Sequence, residues 1–263
     1  MPAPSRTLQL APKFKSIAPG ASGQPLYRVV KRELLQAIES GDYPPGQTLP
    51  NETLVARAMG VSIGTLRHAV DELVAEHLLV RRQGRGTFVA THDADRFLFQ
   101  FFHVERRDGR REAPTVDFVS FERLRADEEA AAALGLKPGA PVLQIENRLR
   151  LQGQAVVYDR LTLPAQLFKG LTEKRLVERP STIYQLYQAD FGISVLRAVE
   201  RARSVPADRA STRVLGVAFG QAVMQVRRTA LTFGERPVEY RVSIINTALH
   251  DYVHQLSRPG REG

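Results

Sequence analysis

Residues 49–89 constrain this chain more than any other stretch, because they combine two helix signals with a basic hairpin. Asn51 is a good N-cap for a helix over residues 52–59, since its side-chain oxygen can accept from a free amide of the first turn. The Gly-Val-Ser sequence at 60–62 then ends that helix and caps the next one. Two short helices joined by a three-residue turn with glycine predict a helix-turn-helix.

The second helix of this pair has an apolar stripe over residues 63–76. Its apolar residues follow the i, i+3, i+4, i+7 spacing of a half-buried helix and are Leu66, Ala69, Val70 and Leu73. Residues that fall on the other faces are Gly64, Arg67, His68 and Asp71. The stripe therefore predicts a helix that packs on one side and exposes Arg67 on another.

A hairpin with a basic tip follows this helix. Strands near 78–80 and 87–89 flank a glycine-containing turn that carries three arginines, Arg81, Arg82 and Arg85. An α-helix fits the DNA major groove, and arginines can meet phosphates or enter the minor groove. The capped helix and the hairpin together predict double-stranded DNA as a partner.

Residues 25–90 resemble the winged helix-turn-helix of GntR-type transcription regulators. The motifs that carry this resemblance, in the family's order and spacing, are Gly41, Tyr43-Pro44-Pro45-Gly46, Leu49-Pro50-x-Glu52, Gly60-Val61-Ser62, Thr65-Leu66-Arg67 and Gly84-Arg85-Gly86-Thr87-Phe88-Val89. Thr53 and Ile63 depart from the pattern, because many members carry arginine there. The resemblance and the helix positions together predict DNA contacts at Asn51, Thr53, Ser62, Ile63, Gly64, Thr65, Arg67, His68, Arg82, Arg85 and Gly86.

Individual residues of this interface have different expected roles. Arg67 is the best candidate for a base contact, and Gly64 lets the backbone approach the groove. Ser62 caps its helix and can also donate to a phosphate. Ile63 has two open interpretations, contact with a thymine methyl or a hydrophobic staple.

Composition supports a two-domain protein without disulfides. The 263 residues exceed the size of one typical domain, and 43% apolar content is enough for buried cores. The net charge of +9 is spread over the chain, with +4 in residues 1–92 and +5 in residues 93–263. No cysteine, no apolar run of 18 residues and no secretory signal occur, so we expect a cytoplasmic protein without a membrane partner.

The expected domain order begins with a mobile tail at residues 1–24, in which Lys13 and Lys15 are solvated rather than DNA-bound. A first helix over residues 26–40 opens the winged helix-turn-helix domain, residues 25–90. A linker at 91–96, an effector-binding and dimerisation domain at 97–257 and a tail at 258–263 complete the chain. Residues 96–104 are rich in phenylalanine and predict a strand, either in the sheet core or lining an aromatic pocket.

The second half of the chain contains an internal repeat with a shift of 81 residues. It places Asp127 on Asp208, Leu134-Gly135-Leu136 on Leu215-Gly216-Val217, and residues 142–145 on 223–226. Each copy predicts a short Asp-capped helix, a Leu-Gly turn and a long hairpin. Two copies indicate one sheet built from two related halves, with the short helices covering one face.

Alternation in the first hairpin separates two faces of that sheet. Leu143, Ile145, Leu149 and Leu151 share one face with Asn147, while Gln144, Glu146, Arg148 and Arg150 share the other. The return strand carries Asp159, and the matching strand of the second copy carries Glu239 and Tyr240. Arginines and carboxylates that converge where the halves meet predict a site for a small polar or anionic ligand, although an ordinary solvated face has the same pattern.

Residues 97 to about 250 resemble the UTRA ligand-binding domain of the HutC subfamily. The resemblance rests on Leu134-Gly135-Leu136-x-Pro138-Gly139, Val142 to Arg150, Leu163-Pro164, Phe168-x-Gly170-Leu171, Ser181-x-x-Tyr184-x-Leu186, Phe191-Gly192-Ile193 and Pro237-Val238-Glu239-Tyr240. It implies a chorismate-lyase-like fold without lyase activity, an effector held between the sheet and its covering loops, and a homodimer. The residues it assigns to the effector are Phe97, Arg148, Arg150, Asp159, Ser181, Glu239 and Tyr240. Asp159 stands where glutamate is more usual.

Other motifs give little support for catalysis. His250 and His254 are four apart on a predicted C-terminal helix, the spacing of a two-histidine metal face, but no third ligand is near, so we expect no metal. Ser181 is predicted to be the N-cap of a helix over 182–189, because no nucleophile elbow surrounds it. No P-loop or dinucleotide fingerprint occurs, and we expect no cofactor.

The sequence therefore predicts an α+β protein, with an N-terminal winged helix-turn-helix and a C-terminal mixed domain with a largely antiparallel sheet. Its predicted function is an effector-responsive transcription regulator, most often a repressor, rather than an enzyme. Two alternatives remain open at this point. One is an enzyme of lyase-like fold with a regulatory DNA-binding module, and the other is a nucleoid-binding protein that has no ligand.

Overall fold

A computed structural model describes residues 12–17, 24–76, 78–91, 101–179 and 182–254, and the chain divides into two units between Thr91 and His92. The first unit contains a three-helix arrangement and a two-stranded antiparallel hairpin. Its elements are α1 (Leu26–Glu39), α2 (Glu52–Met59), α3 (Ile63–Ala75), β1 (Leu79–Arg82) and β2 (Gly86–Val89). The prediction of a winged helix-turn-helix is confirmed.

The helix ends in this unit follow from single capping residues. The Asn51 side chain accepts from the Thr53 amide at 2.8 Å, and Ser62 Oγ accepts from the Thr65 amide at 3.0 Å. Gly60 ends α2 with φ of 70°, a left-handed conformation that glycine adopts without steric cost. The apolar stripe of α3 is buried as predicted, so the opposite side of the helix faces outward.

Residues 12–17 pack against the helical part of the first unit, a difference from the expected tail, whose mobility remains a prediction. Phe14 stacks on Tyr43 with ring centroids 5.3 Å apart, and the Ile17 amide donates to Met59 O at 2.9 Å. Lys13 Nζ lies 3.1 Å from Asp42 Oδ1, a surface ion pair that occupies this lysine. Two apolar side chains within six residues supply the contact area that a purely polar tail lacks.

The described residues of the second unit form a six-stranded sheet, four short α-helices and a small two-stranded ribbon. Its elements are β3 (Val104–Arg106), β4 (Thr115–Arg125), α4 (Glu128–Leu134), β5 (Pro141–Leu151), β6 (Gln154–Pro164), α5 (Glu173–Val177), α6 (Ile183–Phe191), β7 (Arg197–Pro206), α7 (Arg209–Leu215), β8 (Ala222–Leu231), β9 (Pro237–Ile245) and β10 (His250–Tyr252). The described helices include none with the length and hydropathy that crossing a bilayer requires.

The sheet has the order β4-β5-β6-β9-β8-β7, and all of its neighbouring strands are antiparallel. This order is symmetric about the β6–β9 contact and confirms the prediction of two related halves. Asp127 accepts from the Ala130 amide at the start of α4, and Asp208 accepts from the Ser211 amide at the start of α7, both at 2.7 Å. The repeated capping residue therefore places equivalent helices after β4 and β7.

The two faces of the sheet are covered by different elements. We call the face with Ile145 and Leu161 the inner face, because α5, α6, β3 and β10 cover it. The opposite, outer face carries Tyr158 and Tyr240, which pack near α7 and α4 respectively. The predicted covering of one face by the repeated helices is confirmed for the outer face.

Two further predictions of secondary structure need correction. His250 lies in β10, which pairs with β3, and not in a C-terminal helix, because alternate backbone partners on β3 draw this segment into a ribbon. Among the described residues of the aromatic segment, the strand begins at Val104. Phe101 and Phe102 are buried in two different apolar clusters, which favours the core interpretation for them, while Phe97 and Phe99 lie outside the described residues.

Candidate DNA interface and effector site

Four of the eleven predicted DNA-binding residues line a groove of about 290 Å³ in the first unit. The start of α2, the exposed side of α3 and the hairpin meet there, with Asn51, Thr53, Arg67 and Gly86 among the lining residues. Ten of the eleven residues predicted to contact DNA are exposed, and Thr65 is half-buried. A groove between a helix start and a hairpin is accessible to a duplex, so the geometry is compatible with the predicted partner.

Arg67 is held by an acidic residue that the sequence reasoning did not single out. Its Nε lies 2.8 Å from Glu52 Oε2, while 62% of its side chain remains exposed. Arg81 of the hairpin also approaches Glu52, with Nη2 at 3.6 Å from Oε1, and pairs with Asp71. Glu52 therefore links α3, which carries Arg67, to the hairpin. A DNA phosphate would compete with the Glu52 carboxylate for both arginines.

The hairpin tip presents arginines on a glycine turn. Gly84 and Gly86 have φ of 69° and 105°, which lets the chain reverse between β1 and β2. The Arg82 guanidinium lies over the Phe88 ring, 4.9 Å from its centroid, and Arg85 is exposed beside it. The cation–π contact restricts Arg82 without consuming its hydrogen-bond donors.

His68 is placed differently from Arg67, although the two residues are neighbours. Its ring stacks on Tyr27 of α1 with centroids 4.0 Å apart and an interplanar angle of 7°. Successive helix residues differ by about 100° around the axis, so Arg67 turns toward α2 and His68 toward α1. The expectation that both contact DNA remains a prediction.

The candidate effector residues do not converge as the sequence analysis expected. The strand register places Asp159 and Glu239 on the inner face, and Arg148, Arg150 and Tyr240 on the outer face. Side chains alternate along a strand, so residues of opposite parity cannot meet without passing through the sheet. The prediction of one site with all five residues is therefore wrong, while the role of each remains a prediction.

On the inner face, Glu239 and Asp159 belong to a buried polar layer. Glu239 is fully buried and accepts from Tyr184 Oη at 3.1 Å, Tyr187 Oη at 2.8 Å and Arg241 Nε at 2.9 Å. Arg241 also donates from Nη1 to Asp159 Oδ2 at 3.1 Å. Burial together with the Glu239 charge raises the pKa of Tyr184 to about 12, so both tyrosines stay protonated donors at neutral pH.

The same layer continues to the edge strand β7. Arg228 pairs with Glu200 at 2.5 Å and also donates to the Phe101 carbonyl. Burial opposes ionisation of Glu200, but Arg228 and the Tyr252 hydroxyl outweigh it and hold the pKa of Glu200 below its usual range. Burial lowers the pKa of the neighbouring His103 to about 4, so its imidazole is neutral at pH 7.

A cavity of about 420 Å³ opens at this end of the layer. Its aromatic walls come from the segments next to β3 and β10, while small residues of β7 leave space at its floor. The lining residues are Phe101, His103, Arg197, Ala198, Glu200, Ala202, Tyr252 and His254. The volume lies within the range of small-molecule pockets, and the walls combine apolar surface with a few polar groups.

One buried atom of the inner face stands out because it lacks a partner among the described residues. Asn147 is 4% exposed, and its Oδ1 accepts no hydrogen bond from any residue that the structure describes. It lies directly across from Asp159 in the β5–β6 pairing. A buried carbonyl oxygen of this kind is suited to accept from a bound O–H or N–H group.

On the outer face, Arg148 and Arg150 share one carboxylate. Asp117 lies 2.8 Å from Arg148 Nη2 and 2.7 Å from Arg150 Nε, and all three side chains are about one-third exposed. The hydrogen bonds from Arg150 and then Arg148 hold the pKa of Asp117 below its usual range. Tyr240 Oη contacts Glu129 of α4 instead of joining these arginines.

Several functional candidates escaped the sequence reasoning. Arg228 lies between buried Val226 and Ala230 on one face of β8, and this interruption of an apolar alternation was the available signal, whereas Arg241 and Glu200 carried no comparable signal. Thr182, not Ser181, caps α6, because its Oγ1 accepts from the Gln185 amide at 3.2 Å. Phe97 and Ser181 lie outside the described residues. Within the described residues no group of three or more His, Asp or Glu side chains is arranged to hold a metal.

Comparison with known proteins adds an independent result. The gntR family of bacterial regulatory proteins matches residues 26–89, and the UTRA domain matches residues 109–251. The chain is 27% identical over 236 residues to the HTH-type transcriptional repressor NagR of Bacillus subtilis, covering 89% of this chain and 96% of that protein. It is 26% identical over 225 residues to the histidine utilization repressor of Pseudomonas putida, covering 83% and 87% respectively.

A solved structure agrees with these matches. The ligand-binding domain of a GntR-family regulator from Bordetella bronchiseptica is 32% identical to this chain and superposes with a TM-score of 0.57. The alignment covers 60% of this chain and 99% of that domain. The likeness therefore extends through the second unit and includes the sheet described above.

Proposed function

We propose a mechanism from one premise: the chain belongs to the gntR family of bacterial regulatory proteins, and its C-terminal part is a UTRA domain, as in the HutC subfamily. Its relatives are transcription regulators and not enzymes, and this chain is a transcription regulator as well. We propose that it represses transcription from an operator, and that a small polar or anionic metabolite releases it.

The observation that carries the DNA part of the proposal is the exposed, pre-oriented Arg67. Glu52 holds its guanidinium beside the hairpin, while most of the side chain remains exposed at the groove. A bidentate contact from such an arginine to guanine would read a base edge, and Arg82 and Arg85 would meet phosphate or the minor groove. Two copies would place their recognition helices in successive major grooves of a pseudo-palindromic operator.

Replacing Arg67 with Ala tests this assignment. We expect operator affinity, measured by fluorescence anisotropy at fixed salt, to fall by about 1 to 3 kcal/mol, or about 5- to 140-fold. Arg32→Ala is the matched control, since Arg32 is an exposed arginine on α1 outside the groove lining. Equal affinity of the wild-type protein for operator and scrambled DNA would instead favour a nucleoid-binding protein.

For the effector we propose the inner face of the UTRA sheet. The buried layer of Asp159, Arg241 and Glu239 supplies oriented donors and acceptors, and the cavity of about 420 Å³ lies at its edge. Asn147, on β5 and outside the lining of that cavity, would accept a hydrogen bond through Oδ1 from a hydroxyl or amine of a molecule that extends along the layer. The effector releases DNA only if its affinity differs between the DNA-bound and the free arrangement of the protein.

A thermal-shift screen of metabolites identifies the effector, because binding to the native state raises the unfolding midpoint. Asn147→Leu then separates a ligand contact from a structural residue. If Asn147 contacts the effector, Asn147→Leu keeps or raises the unfolding midpoint of the free protein. The effector concentration needed for a given rise in the midpoint then increases at least tenfold. An unchanged effector response in Asn147→Leu removes this residue from the site.

A homodimer through the UTRA domain is part of the proposal. It is supported by the family's arrangement and by the need for two recognition helices on a palindromic site. Light scattering coupled to size exclusion measures it directly. A protein that elutes with the mass of one chain while binding its operator tightly would contradict the dimer.

A further inference from the structure

The outer face of the sheet carries a second arginine cluster, which no role described above uses. It consists of Arg201 and Arg203 on edge strand β7 and Arg227 on β8, grouped around Gln225, and we call it the β7 arginine cluster. Arg201 lies directly across from Arg227, and Arg203 directly across from Gln225. Like charges that face each other across two strands destabilise a sheet, so this arrangement is not explained by folding alone.

One side chain orders this cluster. Gln225 Oε1 accepts from Arg203 Nε and from Arg227 Nε, both at 3.0 Å. Each guanidinium is thereby held by its Nε. Both terminal nitrogens of Arg203 remain available for other contacts, whereas Nη1 of Arg227 contacts Glu129. A pair of planar guanidiniums oriented by a common acceptor is suited to bidentate binding of tetrahedral oxyanions.

Charge balance distinguishes this cluster from the other arginine group on the outer face. Arg148 and Arg150 share the carboxylate of Asp117, which both contact directly. In the β7 arginine cluster, Arg227 Nη1 lies 2.8 Å from Glu129 Oε1, and Glu129 also accepts from Tyr240 Oη. Arg201 and Arg203 are exposed and form no ion pair with any residue that the structure describes. Three guanidiniums thus face one carboxylate.

We propose that the β7 arginine cluster binds phosphate groups, at a site separate from the effector layer on the inner face. Two sources present this chemistry, a free oligophosphate and the phosphodiester backbone of bound DNA. The planar fork of arginine recognises the same oxygen geometry in both. Arg201 and Arg203 make the main contacts, and Gln225, which also accepts from Arg227, fixes the orientation of Arg203.

The test compares the full chain with Arg201→Gln/Arg203→Gln and with the charge-matched control Arg123→Gln/Arg236→Gln. Arg123 and Arg236 are also exposed arginines of the second unit, so both variants lose the same charge from the surface. Tripolyphosphate binding is measured by isothermal titration calorimetry in moderate salt. Operator binding is measured over a series of salt concentrations. Unfolding midpoints at or above that of the wild-type protein establish that both variants are folded.

If the ligand is a free oligophosphate, Arg201→Gln/Arg203→Gln weakens tripolyphosphate binding at least tenfold, and the control changes it less than twofold. If the cluster contacts DNA, the slope of log affinity against log salt becomes shallower by about 2 per chain in this variant alone. The variant loses two phosphate contacts per chain, and each contact releases about 0.9 counterions. Equal behaviour of the two variants in both assays would show only general charge attraction and would overturn the proposal.

Discussion

Glu239 gives the sharpest test of how the UTRA domain is held together. It is fully buried and accepts four hydrogen bonds, one each from Tyr184 and Tyr187 and two from Arg241. Glu239→Gln preserves the shape of the side chain but removes the charge, and its amide group then faces donors. Removing one partner of a buried ion pair costs about 3 to 5 kcal/mol, because the remaining charge loses its compensation.

The lower end of that range applies to Glu239→Gln, since Arg241 keeps Asp159 at 3.1 Å. We therefore expect a loss of about 3 kcal/mol in the free energy of unfolding. For a unit of this size the midpoint moves by roughly 2 to 4 °C per kcal/mol, so it should fall by about 6 to 12 °C. Thermal unfolding of the full chain, followed by circular dichroism, measures this transition. Glu122→Gln is the control, because Glu122 is exposed on β4.

A double variant decides whether the loss comes from the ion pair. Glu239→Gln/Arg241→Met removes both charges of this pair. It should be more stable than the sum of the single changes predicts, because the Glu239–Arg241 interaction is lost only once, while Asp159 loses its arginine equally in Arg241→Met and in the double variant. Strict additivity of the two single changes, or an unchanged midpoint in Glu239→Gln, would refute the reasoning. The result also matters for function, since a destabilised sheet would lose effector response without any lost contact to the effector.

Two further predictions concern stability. His103 has a folded pKa of about 4 against an ordinary value of 6.5, so the unfolded chain binds its proton first as the pH falls. The free energy of unfolding therefore falls by an amount on the order of 3 kcal/mol as the pH decreases from about 6.5 to 4, because of His103. Urea unfolding of His103→Leu should show a flatter pH dependence than the wild-type protein over this window. Asp208→Ala removes the cap of α7 and should cost about 1 kcal/mol in the same assay, whereas Asp208→Asn should be nearly neutral, and equal losses in both would exclude capping as the cause.

The sequence predicted most of the first unit because its signals are local. Asn51 and Ser62 cap helices through contacts two or three residues away, and the apolar stripe of α3 has a period that only a helix satisfies. The partner of Arg67 could not be predicted in the same way. Glu52 lies fifteen residues earlier, and only the angle between α2 and α3 brings its carboxylate to that guanidinium.

In the second unit the repeat predicted the architecture but not the site. The shift of 81 residues is visible in the chain and requires two equivalent halves, which the strand order shows. Which face a residue occupies depends on register and bulges, and the β5–β6 pairing shifts between Leu149 and Arg150. The sequence analysis grouped residues of the two corresponding return strands, and so joined Tyr240 to Asp159 and Glu239, although Tyr240 lies on the opposite face.

The charges of the inner face place a condition on what it can bind. Its buried positive groups are Arg228 and Arg241, with Arg179 close to Arg241, and its negative groups are Asp159, Glu200 and Glu239. These charges balance, so a molecule that enters the layer with a net charge must leave one protein charge uncompensated, at a cost of several kcal/mol. A neutral or zwitterionic effector with hydroxyl or amine donors for Asn147 avoids that cost. A phosphate group on the same molecule would require displacement of a carboxylate from Arg241, and the displaced carboxylate would then be the uncompensated charge.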